Sequence, residues 1–288
     1  MKLIILLFAS LFLSCSASKQ VATPRRTIAK GVDIVTMDYT VVDSKGDTLP
    51  TKIFLFDVRL SNSVTILATT AEDKDGSITT NEEQLTLKTP LSEHLEAMQS
   101  NRQGIKVLGG VNADFFNIRT NQMPRGVMYR NGVCLKGGYE DKITLFVVLA
   151  DGTARCMSAD EYEALDKSLI REAVSGRQML LDNGVVQSTS KRLEPRTAIG
   201  VTRDGKRVFI LVADGRRKEY SNGLSYADMA LIFKRLGAYD AINLDGGGSS
   251  SFSVEIAPGD YAPMNRPSDR SGERAVPNGL AVVEKKVL

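Results

Sequence analysis

PRTAIGVTRDGKRVFILVADGR, Pro195 to Arg216, carries two apolar runs separated by Asp204-Gly205. TAIGVT and RVFILVA read as strands, and the dipeptide between them supplies the positive φ angles that a tight hairpin turn requires. The device recurs at Asn131-Gly132, between GVMYR and VCLK, at Asp151-Gly152, between ITLFVVLA and TARCMS, and at Asn183-Gly184. Most neighbouring strands are therefore expected to be antiparallel. Upstream, TKIFLFDVRL (Thr51 to Leu60) places Phe54, Phe56, Val58 and Leu60 on one face at strand period, and SVTILATT continues in the same character.

Helices interrupt these strands. Thr89-Pro90 opens one whose Leu91, Leu95 and Met98 share a face, with Gly104 as a stop. Ser158 with Glu161, and Ser225 with Asp228, form capping boxes for two more, the second ending at Gly237. The expected fold is a single α+β domain over residues 31–288, with a mixed, largely antiparallel sheet and a few flanking helices.

Composition narrows the function classes. The 288 residues are 42% hydrophobic and 25% charged, which suits a globular chain, and 37 Lys plus Arg against 34 Asp plus Glu leave only +3, so nothing calls for nucleic acid. A single histidine, His94, makes Ser-His-Asp or Cys-His catalysis and multi-histidine zinc sites poor expectations. Its place beside the apolar face of the first helix reads as structural.

Lys2 followed by LIILLFASLFL and SCSAS reads as an export signal over residues 1–18, too short to span a bilayer. Leu13-Ser14-Cys15 resembles the end of a lipoprotein signal, so any membrane attachment is expected through a lipid on Cys15, with the protein exported to the periplasm or cell surface. Residues 19–30 are expected to be a tether. The remaining thiols, Cys134 and Cys156, are read either as a disulfide or as two separate thiols.

One order of elements occurs twice. A helix, a glycine, an apolar strand and a polar tip appear as LSEHLEAMQSNRQ-G-IKVLGGV-NADFFN and as SYADMALIFKRL-G-AYDAINL-DGGGSS. The two tips, Asn112 to Asn117 and Asp245 to Ser250, are expected to line one cleft. In the second, three glycines would be unfavourable in a regular element by roughly 1 kcal/mol each, so they signal a sharp turn or close backbone approach. The amides of Gly246, Gly247, Gly248 and Ser249, with the hydroxyls of Ser249 and Ser250, would form an anion nest with Asp245 at its mouth. In the first, Asn112, Asp114 and Asn117 surround Phe115 and Phe116, a combination that suits a sugar face and raises the pKa of a carboxylate. Arg196 at a strand start and Arg125 in MPRG are candidates for gripping an oxyanion, and Asp214 and Arg216 stand at another strand end. Carboxylates, arginines, a nest and phenylalanines together suit a sugar joined to phosphate. No calcium-loop spacing is present, and neither metal nor cofactor is assigned.

GGVNADFFN, LDNGVVQ, PRTAIGVTRDGKRVFILVADGR, SYADMALIFKRLGAYDAINLDGGGSSSF and RAVPNGLAV, in this order, resemble the phosphodiester glycosidase family over roughly residues 100 to 285. The resemblance implies hydrolysis of a sugar-1-phosphodiester of the N-acetylglucosamine type at the anomeric carbon, releasing sugar and a phosphomonoester. It implies Asp245 or Asp114 as base or nucleophile, Arg196 and the glycine amides on the phosphoryl oxygens, and Asn112 on the sugar. The competing class is a surface glycan-binding lipoprotein that holds the same group without cleaving it. Cleavage at phosphorus would usually need two metals on His and Asp, which one histidine disfavours.

Overall fold

The computed structural model describes residues 24–71, 85, 87–118, 123–139 and 143–286. The leader over residues 1–18, Cys15 included, lies outside the described residues. Three sheets dominate, with 49% of the described residues in strand and 14% in helix. The first runs in spatial order β1 (Arg25–Ala29), β2 (Val32–Val42), β3 (Thr48–Arg59), β14 (Arg207–Ala213), β13 (Arg196–Val201), β15 (Asp240–Asn243), β11 (Met179–Asp182) and β12 (Val185–Val186). The second runs β7 (Val133–Lys136), β6 (Met128–Arg130), β10 (Ile170–Gly176), β8 (Thr144–Leu149) and β9 (Ala154–Ser158). The third runs β17 (Asp260–Pro263), β16 (Phe252–Ala257), β5 (Ile105–Asn112), β18 (Asn278–Lys285) and β4 (Val64–Thr70).

The inner faces of all three sheets share one apolar core. Phe56, Val58 and Ile210 of the first meet Ile66, Val111 and Phe252 of the third and Phe146 and Val174 of the second. Each sheet also carries one helix on its outer face. Helix α3 (Tyr226–Leu236) covers Ile53, Leu55 and Leu211 with Met229 and Phe233; α1 (Leu91–Asn101) covers Val107, Ala281 and Val283; and the short α2 (Ala159–Ala164) packs Tyr162 against Leu145 and Val147. Phe54, Phe56 and Val58 point inward at strand period as expected, and the alternate Ile53 and Leu55 are buried as well because α3 lies over them.

The four expected hairpins form, with Asn131 at φ 49° and Asn183 at φ 52° in the left-handed region that asparagine tolerates. Both capping boxes form. His94 is buried, its Nδ1 2.9 Å from the Thr69 hydroxyl and its Nε2 3.2 Å from the Val276 carbonyl, which is the structural role expected.

Two expectations need correction, and one open alternative is decided. The sheet is not mixed: every strand pairing among the described residues is antiparallel, and it divides into three sheets. Arg25–Ala29, within the stretch expected as a tether, pairs with β2 as an edge strand. Of the two readings of the cysteines, the separate thiols are found: Cys134 on β7 and Cys156 on β9 stand at opposite edges of the second sheet, and both are free.

The connection that matters for function comes after β15. There the chain leaves the first sheet, passes the end of β5, and enters the third sheet as β16 beside β5. Close packing fixes this crossing. Phe252 stacks on Phe56 with ring centroids 4.1 Å apart, and a Cβ on Gly109 would come within 2.8 Å of the Phe56 ring. Glycine in β5 is thus what lets the two sheets close at the ends that carry the tips.

Candidate active site

The two tips are joined by backbone and amide hydrogen bonds. The Asp245 amide donates to the Ala113 carbonyl at 2.8 Å, and Asn112 Nδ2 donates to the Asp245 carbonyl at 2.7 Å. Asn112 Oδ1 in turn accepts from the Thr197 hydroxyl at 2.7 Å and from the Ser251 amide at 3.2 Å. Asn112 is 1% exposed, so it is a rivet between the strand ends and not the sugar contact expected from the sequence.

Asp114 continues from it into the interior. Its Oδ1 accepts from the Ser175 amide and Asn278 Nδ2, both at 2.9 Å, and its own amide donates to Asn278 Oδ1 at 3.0 Å. Its Oδ2 is buried with no hydrogen-bond partner among the described residues. Burial, assisted by the neighbouring Asp245 charge and opposed by these donors, pushes its pKa up to about 7. In front of it lies a slot of about 10 Å³ lined by Phe115, Arg125, Ser175 and Arg177, room for a single water.

Asp245 instead faces an open cleft of about 440 Å³. Burial lifts its pKa to about 6, against the Ser249 hydroxyl, the Gly246 amide at 2.9 Å, and the charges of Arg274 and Arg125. The cleft is lined by Phe115, Ser190, Arg192, Glu194, Arg196, Arg216, Tyr226, Gly246 and Gly247. Arg196 is expected there and is there. Its guanidinium lies 4.3 Å over the Tyr226 ring, with Nε donating to the Leu224 carbonyl and Nη2 to the Arg192 carbonyl, each at 3.0 Å. These bonds fix its position but occupy part of the fork that was expected to grip an anion.

The glycine run does not form the open nest expected. The Gly246 amide bonds Asp245, the Gly247 amide donates to the Pro195 carbonyl at 2.8 Å, and the Ser249 and Ser250 amides donate back to Gly246 and Gly247 in a single 3-10 turn. What the glycines permit is close approach. A Cβ on Gly248 would overlap the Arg274 guanidinium and lie 2.8 Å from Asp269 Oδ2. Arg274 is held there by Asp269 and donates to the Ser249 hydroxyl at 3.3 Å, which sets its charge beside Asp245. The Ser250 hydroxyl is buried without a partner among the described residues.

The other expected residues divide. Phe115 borders both the Asp114 slot and the cleft, whereas Phe116 is buried under Lys88 and Asn117 donates from its amide to Met123 in the next loop. Arg125 borders the slot and its charge reaches Asp245. Asp214 is not a ligand contact. Tyr220, Asn265 and the Arg266 amide fill its carboxylate, and Asn265 also donates to the Ser250 carbonyl, so Asp214 props the glycine tip from behind. Arg216 lines the cleft, paired to Glu194.

Sequence reasoning missed Arg274, Asn278, Ser175, Arg177, Glu194 and Tyr226. Ser175-Gly176-Arg177 ends β10 with polar residues around a glycine, as the second tip ends β15, a signal that was present in the sequence. Arg274 and Asn278 lie in RAVPNGLAV with no local mark of their function.

Known proteins share this architecture. The catalytic domain of zebrafish N-acetylglucosamine-1-phosphodiester alpha-N-acetylglucosaminidase, in a structure auto-inhibited by its pro-peptide, superposes with a TM-score of 0.63 at 18% identity, over 92% of this chain and 87% of that one. A hypothetical protein from Synechocystis superposes with a TM-score of 0.58 at 14% identity, over 93% and 64% respectively. These likenesses show a shared fold. In sequence, the SPbeta prophage-derived uncharacterized protein YomE of Bacillus subtilis is 44% identical over 88 residues, 31% of this chain but only 12% of that protein's length. The phosphodiester glycosidase family model matches residues 106–283, a span that holds both tips, the cleft arginines and Arg274. With more than half of its length so matched, the chain belongs to the phosphodiester glycosidase family.

Proposed function

We propose that the protein hydrolyses a sugar-1-phosphodiester at the anomeric carbon, with Asp245 as the carboxylate that meets the sugar. One observation carries the reading: Asp245 lines an arginine-rich cleft large enough for a sugar and a phosphate, with Phe115 and Tyr226 in its wall. Near neutral pH, a carboxyl with a pKa of about 6 is mostly ionised, as a nucleophile or base must be.

The chemistry is set by the bond. The C1–O bond to phosphate breaks through an oxocarbenium-like state, a water oxygen ends on C1, and its remaining proton goes to solvent or to the departing phosphomonoester. Because the leaving group is already a phosphate ester, little acid assistance is needed. Arg196 supplies positive charge where negative charge develops on the leaving phosphate, and Arg125 and Arg274 favour the ionised form of Asp245. Asp114, with a pKa of about 7, holds a proton for much of the time at neutral pH and so limits repulsion against Asp245. The export leader expected over residues 1–18 supports an activity on the exported side of the membrane.

The test is turnover of the purified protein on N-acetylglucosamine-phospho-mannose and a panel of other sugar-1-phosphodiesters. Release of free sugar with a phosphomonoester, lost in Asp245→Asn, is the expected result. Saturable binding without sugar release from any member of the panel would contradict it and favour a glycan-binding role.

A further inference from the structure

The cleft carries more positive charge than one diester requires. Arg192, Arg196 and Arg216 line it, and Arg125 and Arg274 act on Asp245 from behind. Arg125 and Arg274 set their charge against Asp245, and Arg192 and Arg216 share the single carboxylate of Glu194, so the cleft wall keeps one positive charge from that pair beside that of Arg196, of which a single phosphodiester cancels one. The excess is concentrated in one small arrangement. Glu194 accepts from Arg192 Nε at 3.1 Å and Nη2 at 2.8 Å on one oxygen and from Arg216 Nε at 3.0 Å on the other, which also lies 2.9 Å from Arg216 Nη2 as an ion pair. One acid thus holds two guanidinium groups side by side, and their side chains are 79% and 52% exposed.

The backbone is strained to make this arrangement. Arg216 has φ 62°, and the other non-glycine residues with positive φ among those described are the hairpin asparagines Asn131 and Asn183. Arginine has no local compensation for that conformation, which costs of order 1 kcal/mol or more. The strain lays the guanidinium along the glycine tip, where a Cβ on Gly247 would be 3.2 Å from Arg216 Nη2. A surface ion pair of this exposure is itself worth about 1 kcal/mol at most, so stability is a poor reason to maintain it.

We propose that Arg192 and Arg216, spaced by Glu194, form a second anion subsite, so that the preferred substrate is a diester whose phosphate-linked partner carries a further phosphate or carboxylate. This rests on the function proposed above and narrows it to a substrate class. Two guanidinium groups with outward N–H edges suit a tetrahedral or planar oxyanion, and Ser190 and Tyr226 in the same cleft supply hydroxyls to the carbohydrate between the two anions.

The experiment compares three diesters of N-acetylglucosamine-1-phosphate: with mannose, with mannose bearing a second phosphate, and with mannuronate. The anionic partners should raise kcat/KM about 10-fold or more over mannose, mainly through KM, and the preference should shrink as NaCl rises from about 0.05 to 0.5 M. The larger rise identifies phosphate or carboxylate as the natural group. In Arg192→Gln, whose side chain is exposed and bonded to Glu194 alone among the described residues, the ratio should fall close to one. Equal kcat/KM for neutral and anionic partners, or a preference that survives Arg192→Gln, overturns the proposal. If no diester is cleaved, the function reading fails separately, and the subsite is still tested by calorimetry on Asp245→Asn protein. Mannose 1,6-bisphosphate should then bind at least 10-fold tighter than mannose 1-phosphate, and equal affinities would overturn the subsite.

Discussion

The two strand tips arise from the same order of elements, yet they place their carboxylates in opposite settings. After β5, Asp114 turns into the interior, where Ser175 and Asn278 take one oxygen and a water-sized slot faces it. After β15, the glycine run leaves Asp245 at the floor of an open cleft beside arginines. The difference lies in the residues immediately after each aspartate. Phe115 lines the slot in front of the first, whereas glycines without side chains let Arg274 approach the second. A shared motif order therefore brings two acids together without making them equivalent, and access to the open cleft is what separates them.

Substitution of each acid breaks this comparison most sharply. Asp245→Asn should lower kcat by about 10²- to 10⁴-fold with the melting temperature nearly unchanged, the range expected for loss of a positioned base or nucleophile. Asp114→Asn, which keeps an oxygen for Ser175 and Asn278, should cost about 10-fold or less. Equal losses in steady-state assays would show that the two tips share one role.

The pH dependence of stability comes next. Asp114 has its folded pKa raised to about 7, so the folded state holds a proton that the unfolded chain releases near pH 4. Its stabilising contribution is complete below pH 4 and is lost as pH rises to about 7, a decline of roughly 2 to 4 kcal/mol. Buried Glu172, also lifted to about 7, adds to the same decline. Thermal melts of the wild type should therefore fall between pH 4 and 7, and Asp114→Asn should flatten the curve; a parallel curve would contradict the burial described. Activity should run the other way, rising with pH through about 6 as Asp245 ionises.

Smaller effects test the joint between the tips. Asn112→Ala leaves the Thr197 hydroxyl and Ser251 amide without their acceptor and should destabilise by roughly 2 to 3 kcal/mol in denaturant titrations. Gly248→Ala should displace Arg274 and reduce kcat/KM about 10-fold, roughly 1.4 kcal/mol, with little change in melting temperature. Retained activity there would remove Arg274 from the site.

Local features were legible in the sequence and long-range ones were not. Asn131-Gly132, Asn183-Gly184 and both capping boxes depend on a few adjacent residues, and each forms as read. The division into three sheets depends on pairings such as β3 with β14, about 150 residues apart, which no local pattern encodes. The expected parallel component is not found: α1 and α3, which precede the tip strands, both deliver the chain to antiparallel neighbours. The same contrast holds in the site. Asp245 was marked by the glycines beside it. Asn112 and Asp214 were marked only as polar residues at strand ends, and whether such a residue meets ligand or backbone is decided by partners such as Thr197 and Asn265. Arg274 gave no signal, because a lone arginine in a polar stretch reads as solvated until Asp269 and Gly248 are seen around it.

Hydrolysis of N-acetylglucosamine-phospho-mannose in ¹⁸O-labelled water, read by mass spectrometry of both products, tests the central claim most directly. Attack at the anomeric carbon predicts the label in the released N-acetylglucosamine and none in the mannose phosphate. Label in the phosphate would mean attack at phosphorus and would contradict the role given to Asp245.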